Sequence, residues 1–444
     1  MKLHKFTGIA FLLFTLLALS LVQAQSQLHV ATIFSEVSDH VHGSTIVELP
    51  NGDLLAAWFQ GDGERSVERL AIMGSRLRHG NSLWDEPFLM ADMPNFPEQN
   101  PVLFLDQGNR LWLVWYTIIA HQSETSLIKY RTSERYSRPG APQWDWQEIL
   151  HVKPGDPSQK GIQPNDRFSK AVERQLNLYR SYLIQNQGKS DHEIQDFHTW
   201  AARVAALARG TNMMRQGFVV DEGNRIPLEL GYPYFRRMGW QTRNKPTILS
   251  DGRILLPLYS DGFDFSLMAI TDDRGKNWSF SEPLVGMGNI QPTILEKANG
   301  TLVAYMRDNG PPPKRLHLSQ STDRGKIWSP VQDSTLLNPG SGADAVRLQN
   351  GHWVIAYNDT KKGRPSLAVS LSTDEGKSWE STNHLERDDR PLVQATRSHY
   401  PAIIQGKDGR LHLSYSYHRR NAVGQSFKTI KYARFSEDWI RGNP

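Results

Sequence analysis

The chain has 444 residues, a formal net charge of +5 and 39% hydrophobic residues. The small net charge and the lack of a polybasic run argue against a nucleic-acid partner, while the apolar content is sufficient for a sizeable core. The chain contains no cysteine, which excludes a disulfide framework and a lipid-modified cysteine at a processed N-terminus.

Residues 1–24 have the pattern of a cleaved secretory signal. Two lysines precede an apolar run from Ile9 to Val22, and Ala24 supplies the small residue that a signal peptidase requires before the cut. The run is short for a bilayer span, and no second apolar segment follows it. We therefore expect a periplasmic or secreted protein that begins near Gln25 and has no membrane attachment after cleavage.

A hairpin unit begins at Ser44 and occurs six times along the chain. Each copy has an apolar strand, a turn that ends in glycine, and a second strand that finishes on aromatic or polar residues. The last four turn glycines lie about 50 residues apart, a period that suits a four-stranded propeller blade. The six turn glycines are Gly52, Gly108, Gly252, Gly300, Gly351 and Gly409.

The spacing between the second and third copies is much longer, and the excess residues have a helical pattern. Apolar side chains step by three or four through Phe168–Leu183 and again through Ile194–Leu207, as in amphipathic helices. We expect a helical hairpin over about residues 166–210. It would serve either as a wall or lid over the central pocket, or as a structural apron or oligomer contact.

Three of the later copies are followed by the pattern S/T-x-D-x-G-x-x-W, known as an Asp box. It occupies Thr271–Trp278, Ser321–Trp328 and Ser372–Trp379. The aspartate can accept hydrogen bonds from the turn's own amides, the glycine supplies a positive φ, and the tryptophan folds back as an apolar plug. The pattern therefore predicts a tight hairpin in a repeated β unit.

Together these repeats predict an all-β protein, a six-bladed β-propeller with a helical hairpin inserted between the second and third repeats. Six regular units with a tryptophan in the outer hairpin favour radial closure over a sandwich of similar hairpins. The propeller would take up all of residues 25–444. Residues 27–34 alternate in polarity, and we expect them to complete the outer strand of the last blade, because closure by both termini removes free edges.

The Asp boxes and the six-unit spacing resemble those of the sialidase (neuraminidase) superfamily. The resemblance covers nearly the whole chain after the signal, apart from the insertion. The Asp box is specific for a fold of this kind and says little about chemistry, because non-catalytic propellers carry it too. The resemblance implies, as the leading hypothesis, a glycosidase that acts on a terminal acidic sugar.

Strand order places the candidate site on the face opposite the Asp boxes. In an up-and-down blade the glycine turn and the Asp box share one face, so residues flanking the first two strands at their other ends build the opposite face. Arginines recur there among other polar residues, which favours an anionic ligand. The predicted substrate-binding residues are Arg243, Arg307, Arg364, His42, Gln291, Asn358 and His399.

The resemblance assigns roles to several positions on this face. Arg307, in AYMRDNG, resembles the second arginine of the family's carboxylate-binding triad, and Arg364 resembles the third. Tyr400, in SHYPAII, resembles the family's tyrosine nucleophile. Asp62 or Glu64, on the loop after the first repeat, lies where the family's catalytic acid/base is expected.

Two positions depart from the family's pattern. His42 stands where the first triad arginine is expected, and Gln291 stands where a glutamate would ionise the tyrosine. Without that carboxylate, a phenol with a reference pKa of about 10 has no evident base. A lyase needs no such carboxylate, because its arginines neutralise a uronate while Tyr400, His399 or His42 removes the C5 proton.

Four functional hypotheses follow from the sequence. The leading one is a secreted exo-glycosidase acting on sialic acid or a related acidic sugar; the alternatives are a polysaccharide lyase on a uronate-containing glycan, a non-catalytic glycan-binding propeller and a neutral-sugar hydrolase. In each case the partner is an oligosaccharide or polysaccharide, acidic in the first two. The chain has no zinc or EF-hand spacing, so we expect neither a metal nor a cofactor. No pattern specifies an oligomeric state.

Overall fold

The computed structural model describes residues 28–155, 165–209, 219–221, 224–226, 236–421 and 423–442. The predicted signal and its cleavage point after Ala24 lie outside these residues and stay a prediction. Within the described ranges, no helix has both the length and the apolar character needed to cross a membrane.

In the described residues, six antiparallel sheets follow one another round a closed ring, which confirms the predicted six-bladed propeller. Each blade runs outward from its innermost strand through sequential hairpins. The innermost strands of neighbouring blades contact one another, including those of the first and last blades. The ends of six inner strands therefore meet at one axis, where residues distant in sequence come together.

The first half of the ring contains blades 1 to 3. The chain begins with β1 (His29–Thr32), which belongs to the sixth blade. Blade 1 consists of β2 (His40–Glu48), β3 (Leu54–Gly61), β4 (Leu70–Leu77) and β5 (Phe88–Ala91). Blade 2 consists of β6 (Glu98–Leu105), β7 (Leu111–Ile118), β8 (Ser126–Ser133) and β9 (Trp146–Ile149). A short ribbon, β10 (Val219–Asp221) with β11 (Asn224–Ile226), follows within the insertion. Blade 3 consists of β12 (Trp240–Thr242), β13 (Thr247–Ile248), β14 (Ile254–Ser260), β15 (Phe265–Thr271) and β16 (Ser279–Phe280).

The second half contains blades 4 to 6. Blade 4 consists of β17 (Asn289–Glu296), β18 (Leu302–Asp308), β19 (Arg315–Ser321) and β20 (Gln332–Leu337). Blade 5 consists of β21 (Asp344–Arg347), β22 (Trp353–Tyr357), β23 (Ser366–Ser372) and β24 (Ser381–Arg387). Blade 6 consists of β25 (Arg397–Gln405), β26 (Leu411–Arg420), β27 (Ser426–Phe435) and, from the N-terminus, β1.

The N-terminal strand closes the ring as predicted. β1 pairs antiparallel with β27, so that His29 lies opposite Arg434. The last blade thus takes its outermost strand from the opposite end of the chain. This pairing ties the two ends of the described chain together, because blade 6 cannot be completed without β1.

The Asp boxes connect the third and fourth strands of blades 3, 4 and 5, as the sequence predicts. In blade 4, Asp323 Oδ1 accepts the backbone N–H of Ile327 at 2.9 Å, and the Ser321 hydroxyl donates to Asp323 at 2.8 Å. Gly325, with φ +85°, makes the turn, and Trp328 Nε1 donates to its carbonyl at 3.1 Å. Trp328 is buried, whereas the tryptophans of the other two boxes are half-buried.

The helical hairpin consists of α1 (Arg167–Gln185) and α2 (Gln195–Arg209), and a short α3 (Glu437–Ile440) follows the last strand. The Asp166 side chain caps α1 by accepting the Ser169 N–H at 3.0 Å. The apolar stripe of α1 packs against blades 3 and 4, and Gln175 Nε2 donates to the carbonyl of Trp328 at 3.0 Å. The hairpin therefore covers the Trp328 plug, which explains why this tryptophan is the most buried of the three.

Candidate active site

A β-bulge recurs in the innermost strand of four blades. In each, the pairing with the second strand shifts register at the same place. The bulged residues have left-handed φ angles between 47° and 66°, a conformation that is strained for non-glycine residues and is concentrated at functional sites. They are Gly43, Asn100, Gln291 and Tyr400.

The hydroxyl oxygen of Tyr400 lies between two side-chain donors. Arg307 Nη1 donates to it at 2.8 Å and Gln291 Nε2 at 3.2 Å. Burial raises the pKa of Tyr400, but the guanidinium groups of Arg307 and Arg364 and the Gln291 amide outweigh burial, so the net pKa lies below its ordinary value. N–H donors and cations thus stabilise the phenolate form of Tyr400. In the family's pattern, a glutamate at the position of Gln291 would ionise the tyrosine instead.

Two more guanidinium groups lie against the ring of Tyr400. The Cζ atoms of Arg243 and Arg364 are 4.8 Å and 5.4 Å from the ring centroid, within cation–π distance. Arg243 is buried, and its Nη2 donates to the carbonyl of Pro401 at 2.9 Å. Arg243 therefore holds the backbone next to the tyrosine, while the more accessible Arg364 can meet a ligand.

In the part of the chain that the structure describes, these three arginines have no carboxylate within ion-pair distance. Arg243 and Arg364 donate to backbone carbonyls, and Arg307 donates to a phenol and an amide. The acidic neighbours in sequence are engaged elsewhere: Asp308 accepts amides of its own turn, and Asp359 accepts a serine hydroxyl and lies against a histidine of blade 5. Positive charge is therefore left uncompensated around Tyr400.

Four histidines form a cluster beside the tyrosine. The ring centroid of His42 lies 4.1 Å from that of Tyr400 and 4.5 Å from that of His399, and His399 lies 4.6 Å from His418. His40 adjoins His42 at 5.9 Å. Burial is the main cause that lowers the pKa of His42, His399 and His418, to about 3 for His418, and nearby cations add to the effect. These three imidazoles are consequently neutral at pH 7.

The ring nitrogens of His42, His399 and His418 lie within 4.8 Å of one another, a spacing that a metal ion could bridge. His418 Nε2 donates to the Val41 carbonyl at 2.8 Å, which leaves its Nδ1 available, whereas His399 Nδ1 lies 3.2 Å from Arg364 Nη1. The positive charge of Arg364 also opposes a second cation. The expected absence of a metal stays a prediction, and metal analysis of the purified protein would test it at this cluster.

A cavity of 720 Å³, here called the axial cavity, opens over the histidine cluster. Five arginine and lysine side chains line it, against a single carboxylate, Glu64. Tyr400 and Arg307 lie just behind its wall, since Tyr400 contacts both His42 and Arg364. None of the described residues of the helical hairpin lines the axial cavity. The described helices pack against blades 3 and 4, as a structural apron would, and the roles of wall, lid or oligomer contact stay predictions.

The two acidic candidates have different surroundings. Glu64 Oε1 lies 3.6 Å from His40 Nε2, and this contact is the main cause that lowers the pKa of Glu64. A lowered pKa works against a catalytic acid, which must hold a proton at the working pH. Asp62 forms an ion pair with Arg69 and does not line the axial cavity. Only Glu64 is thus at the site, in a position to orient His40.

Asn358 is placed differently from its predicted role in substrate binding. It is fully buried, and its Nδ2 donates to the Ser398 carbonyl at 2.7 Å. The side chain therefore holds the strand that carries His399 and Tyr400 and does not line the axial cavity. The other predicted binding residues do converge on Tyr400 or on the cavity.

Strand order places His40 and His418 on this face without giving them a role, and it provides no signal for Ser416. Ser416 Oγ lies 2.9 Å from His42 Nδ1 and accepts the Gly43 N–H at 3.1 Å. Ser416 lies inside an alternating strand, where a serine carries no signal. One local signal does exist for the bulged residues: Asn100, Gln291 and Tyr400 each precede a proline, which disfavours the right-handed helical conformation.

Comparison with known proteins identifies the family of the chain. Residues 52–159 and 237–413, more than half of the chain, match the family described as BNR repeat-like domain. The chain belongs to this family. The BNR propeller is also 28% identical over 124 residues to an anhydrosialidase of Macrobdella decora, a stretch that covers 27% of the chain and 15% of that relative.

Solved structures confirm the fold of the BNR propeller. A protein of unknown function from Dyadobacter fermentans is 14% identical with a TM-score of 0.59, covering 92% of this chain and 99% of its own. A leech intramolecular trans-sialidase complexed with 2,7-anhydro-Neu5Ac is 14% identical with a TM-score of 0.58, and the match covers 94% of this chain and 71% of that chain. The Hadza microbial sialidase Hz136 is 14% identical with a TM-score of 0.58, and the match covers 90% of this chain and 66% of that chain. The BNR propeller thus has the fold of the sialidase superfamily, as the Asp boxes predicted.

Proposed function

We propose that this BNR propeller is an exported enzyme that cleaves a terminal acidic sugar, sialic acid or a relative, from a glycan. The observation that carries the proposal is the phenolic oxygen of Tyr400, held by two N–H donors among arginines that lack carboxylate partners. Structural neighbours named as sialidases and trans-sialidases share the fold and support this substrate class. Export is supported by the pattern of residues 1–24 alone.

The first step is recognition of the sugar's carboxylate. A guanidinium has five N–H donors in a planar fork. Arg307 uses two of its nitrogens on Tyr400 and Asn309, and Arg364 uses two on His399 and Gly340, so each keeps further N–H groups for a ligand. A carboxylate between them would neutralise both charges and place the anomeric carbon near Tyr400.

Cleavage then proceeds through Tyr400. Its oxygen bonds to the anomeric carbon as the bond from that carbon to the leaving oxygen breaks, and water later releases the sugar from the tyrosine. The leaving oxygen takes the proton that the pair of His40 and Glu64 holds between Nε2 and Oε1, which lie 3.6 Å apart. The phenolate and the bound carboxylate oppose the positive charge that develops on the sugar ring.

A second candidate, elimination from a uronate, is favoured by one specific observation. Gln291 supplies an amide where a carboxylate would activate a nucleophile, and the neutral imidazole of His42 lies 4.1 Å from the Tyr400 ring. In this reaction Tyr400 or His42 takes the C5 proton, the C4–O bond breaks, and His40 protonates the leaving oxygen. The arginines would neutralise the uronate carboxylate and so acidify the C5 proton.

A screen of the full chain against sialylated and uronate-containing oligosaccharides distinguishes the two reactions by mass spectrometry and absorbance. Hydrolysis adds one water across the products, whereas elimination adds none and creates a double bond that absorbs in the near ultraviolet. A saturated product lighter by one water would instead indicate intramolecular transfer. If no acidic glycan is cleaved, the proposal fails, and the non-catalytic alternative gains support.

The proposal of export has its own test. N-terminal sequencing of protein recovered outside the cytoplasm should begin at Gln25 or within a few residues of it. Intact Met1 in a membrane fraction would overturn the proposal of a cleaved signal. This result is independent of the enzymatic assay.

A further inference from the structure

A row of basic residues crosses blade 6 on the wall of the axial cavity. Arg397 of β25 lies opposite His418 of β26, and His418 lies opposite Lys428 of β27. Residues directly opposite in antiparallel strands project to the same face of a sheet. The three side chains therefore share one surface, and all three line the axial cavity.

Arg420 extends this row. It lies two residues beyond His418 on β26, and alternate residues of a strand face the same side. It also lines the axial cavity, opposite Ser426. The basic surface thus runs from the histidine cluster outward along the blade.

Most of this charge is uncompensated in the described residues. Neither Arg397 nor Arg420 has a carboxylate within ion-pair distance there, whereas the adjacent Arg419 donates to Glu36 Oε2 at 2.7 Å. Lys428 Nζ lies 3.2 Å from His40 Nδ1. Arg397 and Arg420 lie on the adjacent strands β25 and β26, and both are exposed, so an anion in the cavity can reach the two guanidinium groups.

The row adjoins the arginines around Tyr400. Burial is the main cause that lowers the pKa of Arg364 and of His399, and the charge of Arg397 adds to both effects, which places Arg397 within electrostatic reach of them. An anion held on the row would therefore lie next to the sugar whose carboxylate Arg364 receives.

The axial cavity can hold more than one sugar unit. Its 720 Å³ falls in the upper part of the range of about 300–1,000 Å³ that ligand pockets have. Its wall also includes the exposed side chains of Leu392 and Val393, at 47% and 75% accessibility. Apolar side chains suit the C–H face of a pyranose ring, while the basic row suits its charged substituent.

We propose that Arg397, Arg420 and Lys428 form a second anion subsite. It binds a sulfate or carboxylate on the sugar unit next to the bond that is cleaved. The substrate is thus a glycan with negative charges on successive units, rather than a neutral glycan with one acidic cap. The position of the first unit rests on the proposed function, but the subsite itself is defined by binding.

Calorimetric titration of the full chain carrying Tyr400→Phe, which slows cleavage of the ligands, tests the subsite. The probes are sialyllactose, the same sugar with sulfate on its galactose, and a disialylated counterpart whose second unit carries a carboxylate. If the turnover screen selects uronates, unsulfated and sulfated chondroitin oligosaccharides replace them. We expect at least one doubly charged probe to bind about tenfold more tightly than the singly charged one, as a charge-assisted hydrogen bond would give.

Substitutions locate the effect. Arg397→Ala and Arg420→Ala, each added to Tyr400→Phe, should abolish the preference, and comparison of the two charged probes tells sulfate from carboxylate. Arg347→Ala is the matched control, because it removes one charge from an exposed arginine at the glycine-turn end of its strand, on the opposite face. The subsite is refuted if the parent has no preference, or if both variants keep it. Parent-level turnover by Tyr400→Phe would refute the proposed catalytic role instead, and the existence of the subsite would still be decided by the preference between probes.

Discussion

The repeated elements on the two faces of the propeller differ in how their charged residues are paired. On the Asp-box face, Arg274 Nε lies 3.0 Å from Asp106 of the preceding blade, and Arg324 likewise pairs with Asp251. Glu375, at the equivalent position of the third box, accepts a backbone N–H of the preceding blade. Each box is thus fastened to the preceding blade, two of them by an ion pair and the third by a hydrogen bond to the backbone.

On the opposite face, the corresponding repeated element is the bulge of the inner strand. Its residues also have left-handed φ angles, yet Gln291 and Tyr400 meet across the axis and face arginines without carboxylate partners. The Asp boxes therefore repeat both their turn and a contact with the preceding blade, as expected of a structural face. On the opposite face the backbone of the bulge is repeated, but its side chains diverge and lie beside unpaired arginines, which is why we place the candidate active site there.

The most severe test of this contrast is Tyr400→Phe, which removes one oxygen and keeps the ring. We expect turnover to fall by roughly 10²–10⁴-fold with little change in melting temperature. Tyr415→Phe is the control, because this buried tyrosine of the same blade donates to Glu386 at 2.6 Å, away from the axis. Equal activity of the two variants would remove Tyr400 from the mechanism.

Trp328→Ala tests the structural face. The side chain is 2% exposed under the helical hairpin, so we expect a loss of about 3–5 kcal/mol in the free energy of unfolding, measured by denaturant titration. Turnover per folded molecule should hardly change. Trp379→Ala, at a half-buried box tryptophan, should cost less. A large drop in activity with an unaltered unfolding curve would erase the distinction between the faces.

The same substitution at two arginines tests whether the one without a carboxylate partner binds the substrate. Arg307 has no such partner in the described residues, whereas Arg274 pairs with Asp106. Lysine keeps the charge and loses the planar fork, so Arg307→Lys should weaken kcat/KM by about 1.5–3 kcal/mol, tenfold or more. Arg274→Lys should leave kcat/KM at the parent value, since its partner is Asp106 on the other face. Parent-like turnover of acidic sugars by Arg307→Lys would contradict an anion-binding role.

The smallest expected difference between the two faces is in how their titratable groups make the free energy of unfolding depend on pH. Because the pKa values of His42, His399 and His418 are lowered, the folded state binds fewer protons than the unfolded chain below pH 6.5. Stability is therefore full above about pH 6.5 and falls as the pH decreases. On the Asp-box face the pKa of Asp374 is lowered to about 2, chiefly by the Ser378 amide, so that carboxylate stays ionised until far lower pH.

His418→Gln keeps an N–H donor for the Val41 carbonyl and removes the titrating ring. We expect the slope of unfolding free energy against pH to decrease by up to about 1.4 kcal/mol per pH unit. Urea titrations at several pH values measure it. His29→Gln, on exposed β1, is the control and should retain the parent slope. A parent slope for His418→Gln would show that this histidine does not contribute to the pH dependence of stability.

The elements that sequence predicted well are those whose hydrogen bonds close within a few residues. An Asp box satisfies its own turn, as Asp323 does with Ile327, so eight residues are enough to recognise it. The helical hairpin was predicted from its periodicity over residues 166–210, and the described helices fall within that range. The pairing of β1 with β27 followed from the need to close the ring.

The sequence by itself determined the repeat, the closed ring and the face on which the candidate site was sought, because these follow from local patterns and strand counting. Only the tertiary structure decided which polar residues on that face meet. His42 and Ser416, 374 residues apart, come into contact because the ring closes. Asn358 instead donates to the backbone carbonyl of Ser398, and Asp62 forms an ion pair with Arg69. The physical reason is that several blades contribute side chains to one axis, so that distances between blades, rather than any local pattern, determine which groups can bind one another.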